Sequence, residues 1–210
     1  MTDAAPILLF GGTFDPPTRA HAALPAQAAK LIGAQRLLFV PAAISPHKLD
    51  RPPTPSAHRV AMLELALRDL EGAEIRTLEL EREGPSYTID TVRAIGSEFG
   101  PDTPLHFLIG DDQAESFHRW QDCDELLALS APVVLPRRHG SVEAFARAMA
   151  ESGGNWSEAE VRTWCDRRLD LPCMTMSSTD VRNRLESGDD ADDTIDPLVL
   201  DYIRTHALYA

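Results

Sequence analysis

Thr18 and His21 stand three residues apart, directly after the run Gly11-Gly12-Thr13-Phe14-Asp15-Pro16-Pro17. If a helix opens at Thr18, that spacing turns the hydroxyl and the imidazole the same way. The apolar run Ile7-Leu8-Leu9-Phe10 precedes the glycines, and Ala- and Leu-rich sequence follows the prolines. The order reads as a buried strand, a tight turn whose backbone can approach a ligand, and a helix start. The first N–H groups of a helix lack partners within it and favour anions, and the two side chains beside them suit phosphate oxygens. An α/β domain can pack the same corner for structural reasons, so the signal does not stand alone.

A second candidate is Ser177-Ser178-Thr179-Asp180-Val181-Arg182. Hydroxyls at a strand-to-helix junction can simply cap the helix. Arg182, about one turn inside, can also point back over that N-terminus and add a positive fork, which capping alone does not require. Two anion-competent helix starts suit a triphosphate better than a single phosphate. Other phosphate loops are excluded: no Gly-x-x-x-x-Gly-Lys followed by Ser or Thr occurs, and Gly11-Gly12 lacks dinucleotide-oxidoreductase spacing. No His, Cys, Asp or Glu set has zinc spacing, and no serine sits in a Gly-x-Ser-x-Gly elbow. Direct transfer between two bound substrates is therefore simpler chemistry than a covalent nucleophile.

The elements that position these residues follow from hydrophobic pattern. The first half alternates strand and helix: strands are expected at 7–10, 36–40, 75–80 and 105–109, and helices at 18–32, 57–70 and 88–99. Pro25 predicts a kink or early break in the first helix. A proline-rich loop, 41–55, carries Ser45-Pro46-His47-Lys48. The second half predicts helices at 124–129, 142–151, 158–169, 180–186 and 196–206, with strands at 132–135 and 174–176. The acidic stretch 187–196 reads as a solvated loop. Trp156 and Trp164 read as packing residues. Asp15, Asp112 and Ser177 fall at strand ends, where ligands bind in parallel sheets.

The length of 210 residues fits one α/β domain spanning 1–210. No apolar run is long enough for a membrane span, and residues 1–6 have no basic n-region, so no secretory signal is expected. Cys123, Cys165 and Cys173 form neither a disulfide framework nor a metal pattern, which fits a reducing cytoplasm. A net charge of −13 argues against a nucleic-acid or anionic-membrane surface but not against small phosphate ligands. Lys30 and Lys48 are the only lysines among 20 basic residues. A lysine in an arginine-rich chain suggests use of its compact, mobile ammonium.

Taken together, these blocks resemble the bacterial nicotinate-mononucleotide adenylyltransferases, of the nucleotidyltransferase superfamily whose signature is His or Thr, any residue, Gly, His. The resemblance rests on 11–17 with Thr18 and His21, on Val40-Pro41 through Pro46-His47-Lys48, and on His58-Arg59-Val60-Ala61-Met62-Leu63. It continues through Ser86-Tyr87-Thr88-Ile89-Asp90-Thr91, Gly110-Asp111-Asp112 with Trp120, and Ser177-Ser178-Thr179 with Arg182. The blocks run in family order over most of the chain. Thr18 stands where the family usually has histidine, and Ala20 where it has glycine. Thr18 removes one positive charge available to the transition state and leaves His21 more of that task.

The resemblance implies a Rossmann-like, doubly wound α/β fold with a parallel sheet flanked by helices and a small C-terminal helical portion. It implies transfer of AMP from ATP to nicotinate mononucleotide, giving deamido-NAD and pyrophosphate. His21, Thr18 and Arg182 would be catalytic. Gly11, Gly12, Thr13, Phe14, Asp15, Ser177, Ser178 and Thr179 would hold ATP, with Mg²⁺ bound mainly through the ATP phosphates and no protein metal site. Lys48, Tyr87, Thr88, Gly110, Asp112 and Trp120 would bind the acceptor. Asp112 takes either a ribose hydroxyl or the task of orienting phosphates, and Arg138 is either a phosphate ligand or a surface charge. Nicotinamide mononucleotide as acceptor, a non-catalytic nucleotide-binding module, and self-association stay open.

Overall fold

The computed structural model describes residues 5–44, 52–173 and 177–209. Five strands, β1 (Ile7–Gly12), β2 (Arg36–Pro41), β3 (Ala73–Ile75), β4 (Leu105–Gly110) and β5 (Ala131–Leu135), form one sheet in the order β3-β2-β1-β4-β5. Every pairing is parallel. Helices α1 (Arg19–Ile32) and α2 (Ser56–Leu67) follow β1 and β2. Next come α3 (Thr88–Phe99), α4 (Asp111–Glu115), a 3-10 turn at Phe117–Arg119 and α5 (Cys123–Leu129). The chain continues through α6 (Val142–Glu151), α7 (Glu158–Asp166), α8 (Ser178–Glu186) and α9 (Pro197–Thr205). This is the doubly wound architecture expected from sequence.

Alternation along the strands divides the core. Ile7, Leu9, Leu105, Phe107 and Ile109 pack with Ile89, Val92 and Ile95 of α3 and with Leu126, Phe145, Met149 and Trp164. Leu8, Leu37, Phe39, Leu108 and Val133 point to the opposite face, against Leu24, Ala28 and Ala29 of α1 and Leu63 and Leu67 of α2. Strands covered on both faces must be apolar at successive positions, which is why they read as continuous runs. Burying each such side chain contributes about 1.5–3 kcal/mol. A third cluster joins Met62 of α2 to Val181 of α8 and to Val199, Leu200 and Ile203 of α9, forming the C-terminal helical portion.

Three expectations need correction. Helix α1 runs unbroken through Pro25, which is buried with Leu24, Ala28 and Ala29; packing of that stripe offsets the one missing helical hydrogen bond. The strand expected at 75–80 is only Ala73–Ile75: the ladder ends where Arg76 N–H meets Phe39 O, and Leu80 N–H turns back onto Thr77 O. The stretch 187–196 is not wholly solvated, because Ala191 and Ile195 are core residues between its exposed aspartates. Trp164 is core, as read from sequence. The strand expected at 174–176 lies outside the described residues. No helix among the described residues is long and apolar enough to cross a membrane.

Candidate active site

Strand β1 pairs with β4 only over Ile7↔Leu105, Leu8↔His106 and Leu9↔Phe107, whereas both strands continue to a glycine at their C-terminal ends. The sheet therefore opens between Gly12 and Gly110, at the point where the strand order reverses. Gly11 is exposed, and a methyl group there would meet nothing of the protein nearer than Val40 O at 4.0 Å. At Gly12 it would press on the Phe14 ring at 3.0 Å. The backbone at the end of β1 is thus bare at Gly11 and packed against Phe14 at Gly12.

Phe14 has φ 49° in the left-handed region, and its ring is fully buried. The next peptide, Asp15-Pro16, is cis. This unusual turn is held by five residues distant in sequence. Arg59 is 2% exposed and donates from Nη1 to Thr13 O at 2.7 Å and from Nε to Thr54 O at 2.8 Å. Burial lowers its pKa, with Asp15 and Tyr209 opposing. The Tyr209 hydroxyl donates to Asp15 Oδ1 at 2.6 Å, while Thr54 N–H reaches Asp15 Oδ2 at 3.3 Å. Burial, chiefly, and the Asp15 contact push the Tyr209 phenol up. From α8, Ser178 Oγ donates to Pro16 O at 2.9 Å and Arg182 Nη1 to Asp15 O at 2.6 Å. The two helix starts singled out from sequence are therefore neighbours.

Arg59 is the inner support of that turn. We expect Arg59→Met, which leaves two carbonyls without their donor, to lower the unfolding free energy by about 3 kcal/mol. Urea denaturation checks this; a variant as stable as the parent would refute the support role.

Thr18 is the N-cap of α1 and only 1% exposed. Its backbone N–H donates to His21 Nδ1 at 2.9 Å, and its Oγ1 lies 2.8 Å from the same nitrogen. Because Nδ1 accepts, the proton of the neutral imidazole sits on Nε2. Phe10 and Phe14 wall the ring at centroid distances of 6.1 and 5.5 Å. The expectation that Thr18 meets phosphate directly is corrected: its hydroxyl faces inward and orients His21. Asp15 and Phe14 are corrected likewise. Both are buried, so this stretch can offer a ligand only its backbone.

At α8, Ser177 caps the helix: its Oγ accepts Asp180 N–H at 3.2 Å, and Asp180 Oδ2 receives the Ser177 N–H at 2.8 Å. The Ser177 hydroxyl, donating to the same Oδ2 at 2.7 Å, and then the Ser177 N–H hold the Asp180 carboxyl below its usual range. Thr179 is exposed, and its Oγ1 accepts from Arg182 Nη2 at 3.2 Å. Ser177 and Ser178 thus organise the helix start, leaving Thr179 and Arg182 at its rim.

Across the opening, Tyr87 is the N-cap of α3 and Thr88 its first residue; the N-cap makes no side-chain hydrogen bond to the leading N–H groups of this helix. Trp120 follows the 3-10 turn and packs on Phe117, ring centroids 5.2 Å apart. Tyr87 and Trp120 both flank the core on the α3 face of the sheet. Lys48 lies outside the described residues. Asp112 Oδ1 is buried and has no hydrogen-bond partner among the described residues, and Oδ2 lies 3.5 Å from Arg137 Nη1. A side chain at Gly110 would strike Asp112 Oδ1 at 2.3 Å, so glycine makes room for this carboxylate. The adjacent Asp111 is structural: fully buried, it accepts the backbone N–H groups of Arg137, Arg138 and His139 at 3.1, 2.7 and 3.2 Å.

Sequence reasoning missed Arg137. It named Arg138, whose guanidinium instead pairs with Glu115 at 3.5 Å, while Arg137 faces Asp112 and acts electrostatically on Asp180. Arg59 appeared only as part of a matching block, and Tyr209 not at all. Among the described residues no His, Cys, Asp or Glu group could hold a metal ion.

A family model described as cytidylyltransferase-like matches residues 9–184. The nicotinate-nucleotide adenylyltransferase of Salmonella typhimurium is 35% identical, covering 96% of this chain and 97% of its own length. A probable nicotinate-nucleotide adenylyltransferase of Pectobacterium atrosepticum is 34% identical over 95% of this chain and 96% of its own. Among solved structures, Plasmodium falciparum nicotinic acid mononucleotide adenylyltransferase complexed with NaAD aligns over 98% of this chain and 97% of its own, with a TM-score of 0.73 and 21% identity. That likeness is one of fold.

Proposed function

The chain belongs to the cytidylyltransferase-like family and, within it, to the nicotinate-nucleotide adenylyltransferases, and from that membership we propose that it transfers the adenylyl group of ATP to nicotinate mononucleotide. The products are deamido-NAD and pyrophosphate. The observation that carries this reading is the joining of the β1 turn to α8 through Ser178–Pro16 and Arg182–Asp15. That junction supports a reading in which the β1 turn, the start of α8 and one guanidinium serve a single polyphosphate.

MgATP is the donor, its Mg²⁺ held by the phosphates and water. Backbone N–H groups of 11–13 and the His21 ring line one side of the polyphosphate; Thr179, Arg182 and the start of α8 line the other. His21 donates from Nε2 to the α-phosphoryl oxygens as charge builds there. The acceptor's phosphate is already ionised at neutral pH, so attack needs no strong general base. Catalysis comes down to alignment and charge stabilisation. Pyrophosphate leaves toward Arg182 and α8.

The acceptor lies over α3. The uncapped N–H groups at Thr88 suit a carboxylate, which supports nicotinate over the amide. Tyr87 and Trp120 frame the pyridine ring, and Lys48 reaches the acceptor phosphate. Asp112 Oδ1, buried and lacking a donor, takes a ribose hydroxyl. The three cysteines are free, in keeping with a reducing cytoplasm.

Incubating the purified chain with ATP, Mg²⁺ and each mononucleotide tests the assignment. The deamido-dinucleotide should form from the nicotinate compound with the higher kcat/KM; no dinucleotide, or preference for the amide, would overturn it. A finer test is Gly11→Ala. The protein has room for the methyl group, so Tm should hold while the KM for ATP rises about tenfold, because the methyl blocks close approach of a phosphate. An unchanged KM would place the polyphosphate elsewhere.

A further inference from the structure

Beneath the turn that carries Tyr87 and Thr88 lies a carboxylate with no part in the roles above. Glu79 is 6% exposed and accepts the Thr91 hydroxyl at 2.5 Å; Thr91 is itself 3% exposed and accepts Arg82 Nη2 at 2.9 Å. The Ser86 hydroxyl lies on the other side of Glu79, near enough to favour the ionised carboxylate. Ser86 Oγ in turn accepts the Ala43 backbone N–H at 3.0 Å, and Ser86 N–H donates to Ile44 O at 2.9 Å. A hydroxyl has one proton to donate. The relay from Arg82 through Thr91 therefore ends on Glu79, and Ser86 Oγ, already accepting from Ala43, keeps its one proton for the same carboxylate.

Their positions give the relays meaning. Ser86 immediately precedes Tyr87, and Thr91 is on the buried side of the first turn of α3. Ala43 and Ile44 follow β2 and lead into the segment carrying Lys48. One buried carboxylate thus fastens the start of α3 to the exit of β2, the two arms assigned to the acceptor. Burial raises the Glu79 pKa against the pull of Thr91, Ser86 and Arg82. An apolar residue would fill this place without that desolvation cost.

Resting on the acceptor site proposed above, we infer that Glu79 is a positioning residue for nicotinate mononucleotide, setting acceptor affinity through Ser86 and Thr91 without touching the substrate.

The test is steady-state kinetics on the full chain with Glu79→Gln, Ser86→Ala and the double variant, following both substrates. Each single change should raise the acceptor KM about tenfold, the scale of losing one hydrogen bond to a buried charge. The KM for ATP should stay put and kcat should fall less. The double variant should match either single one, because both cut the same relay. Acceptor and ATP constants moving together, an unmoved acceptor KM, or multiplying effects would each overturn the inference. Should Glu79→Gln fail to fold, Ser86→Ala decides by the same criterion. Absence of turnover in the parent chain would sink the acceptor site and this inference together; normal parent turnover with unmoved variants sinks the inference alone.

Discussion

Replacing His21 with alanine should lower kcat for adenylyl transfer by about a hundredfold or more, the effect of removing one transition-state donor from a preorganised site. The fold should survive, because His21 is only half-buried and the turn beneath it is held by Arg59, Tyr209 and Arg182. Thr18 N–H and Oγ1 both lie within hydrogen-bonding distance of Nδ1, so the imidazole is fixed in orientation before substrate arrives. Pyrophosphate release gives kcat, and a thermal melt separates lost chemistry from lost structure. Unchanged turnover in a folded variant would remove His21 from the mechanism.

The second large effect belongs to Arg182. Its guanidinium ties Asp15 O to Thr179 Oγ1, and in the proposed mechanism it sets a permanent charge beside the departing pyrophosphate. Arg182→Ala should lower kcat/KM for ATP by roughly two to three orders of magnitude. Arg182→Lys restores the charge but not the planar fork, so it should recover only part of the loss. Full recovery by lysine would mean that charge alone matters and that the bridge to the β1 turn is incidental.

Much of this architecture is legible in the chain itself. The apolar runs of β1, β2, β4 and β5 announce strands covered on both faces. Thr18, Ser177 and Gly33 mark helix ends through ordinary capping chemistry. What cannot be read is which way a polar side chain faces. Asp15 and Thr18 sit in a glycine-rich turn and look ligand-facing by type, yet both are buried against residues of the protein. Arg137 and Arg138 are equivalent as sequence, but consecutive residues leaving a strand point to opposite sides, and only the first meets Asp112. Arg59, Glu79 and Tyr209 carry no periodic signal, because their partners are set by tertiary contact. The 75–80 alternation misled for a related reason: inward-facing Glu79 closes a turn rather than extending a strand.

The bonds from Ser178 to Pro16, Arg182 to Asp15 and Tyr209 to Asp15 span 162, 167 and 194 residues of chain. A ribosome must therefore make almost the whole protein before the turn after β1 can be clamped. Fragments that stop short of α8 could still build the sheet, but they would hold nucleotide loosely and leave the reaction undone.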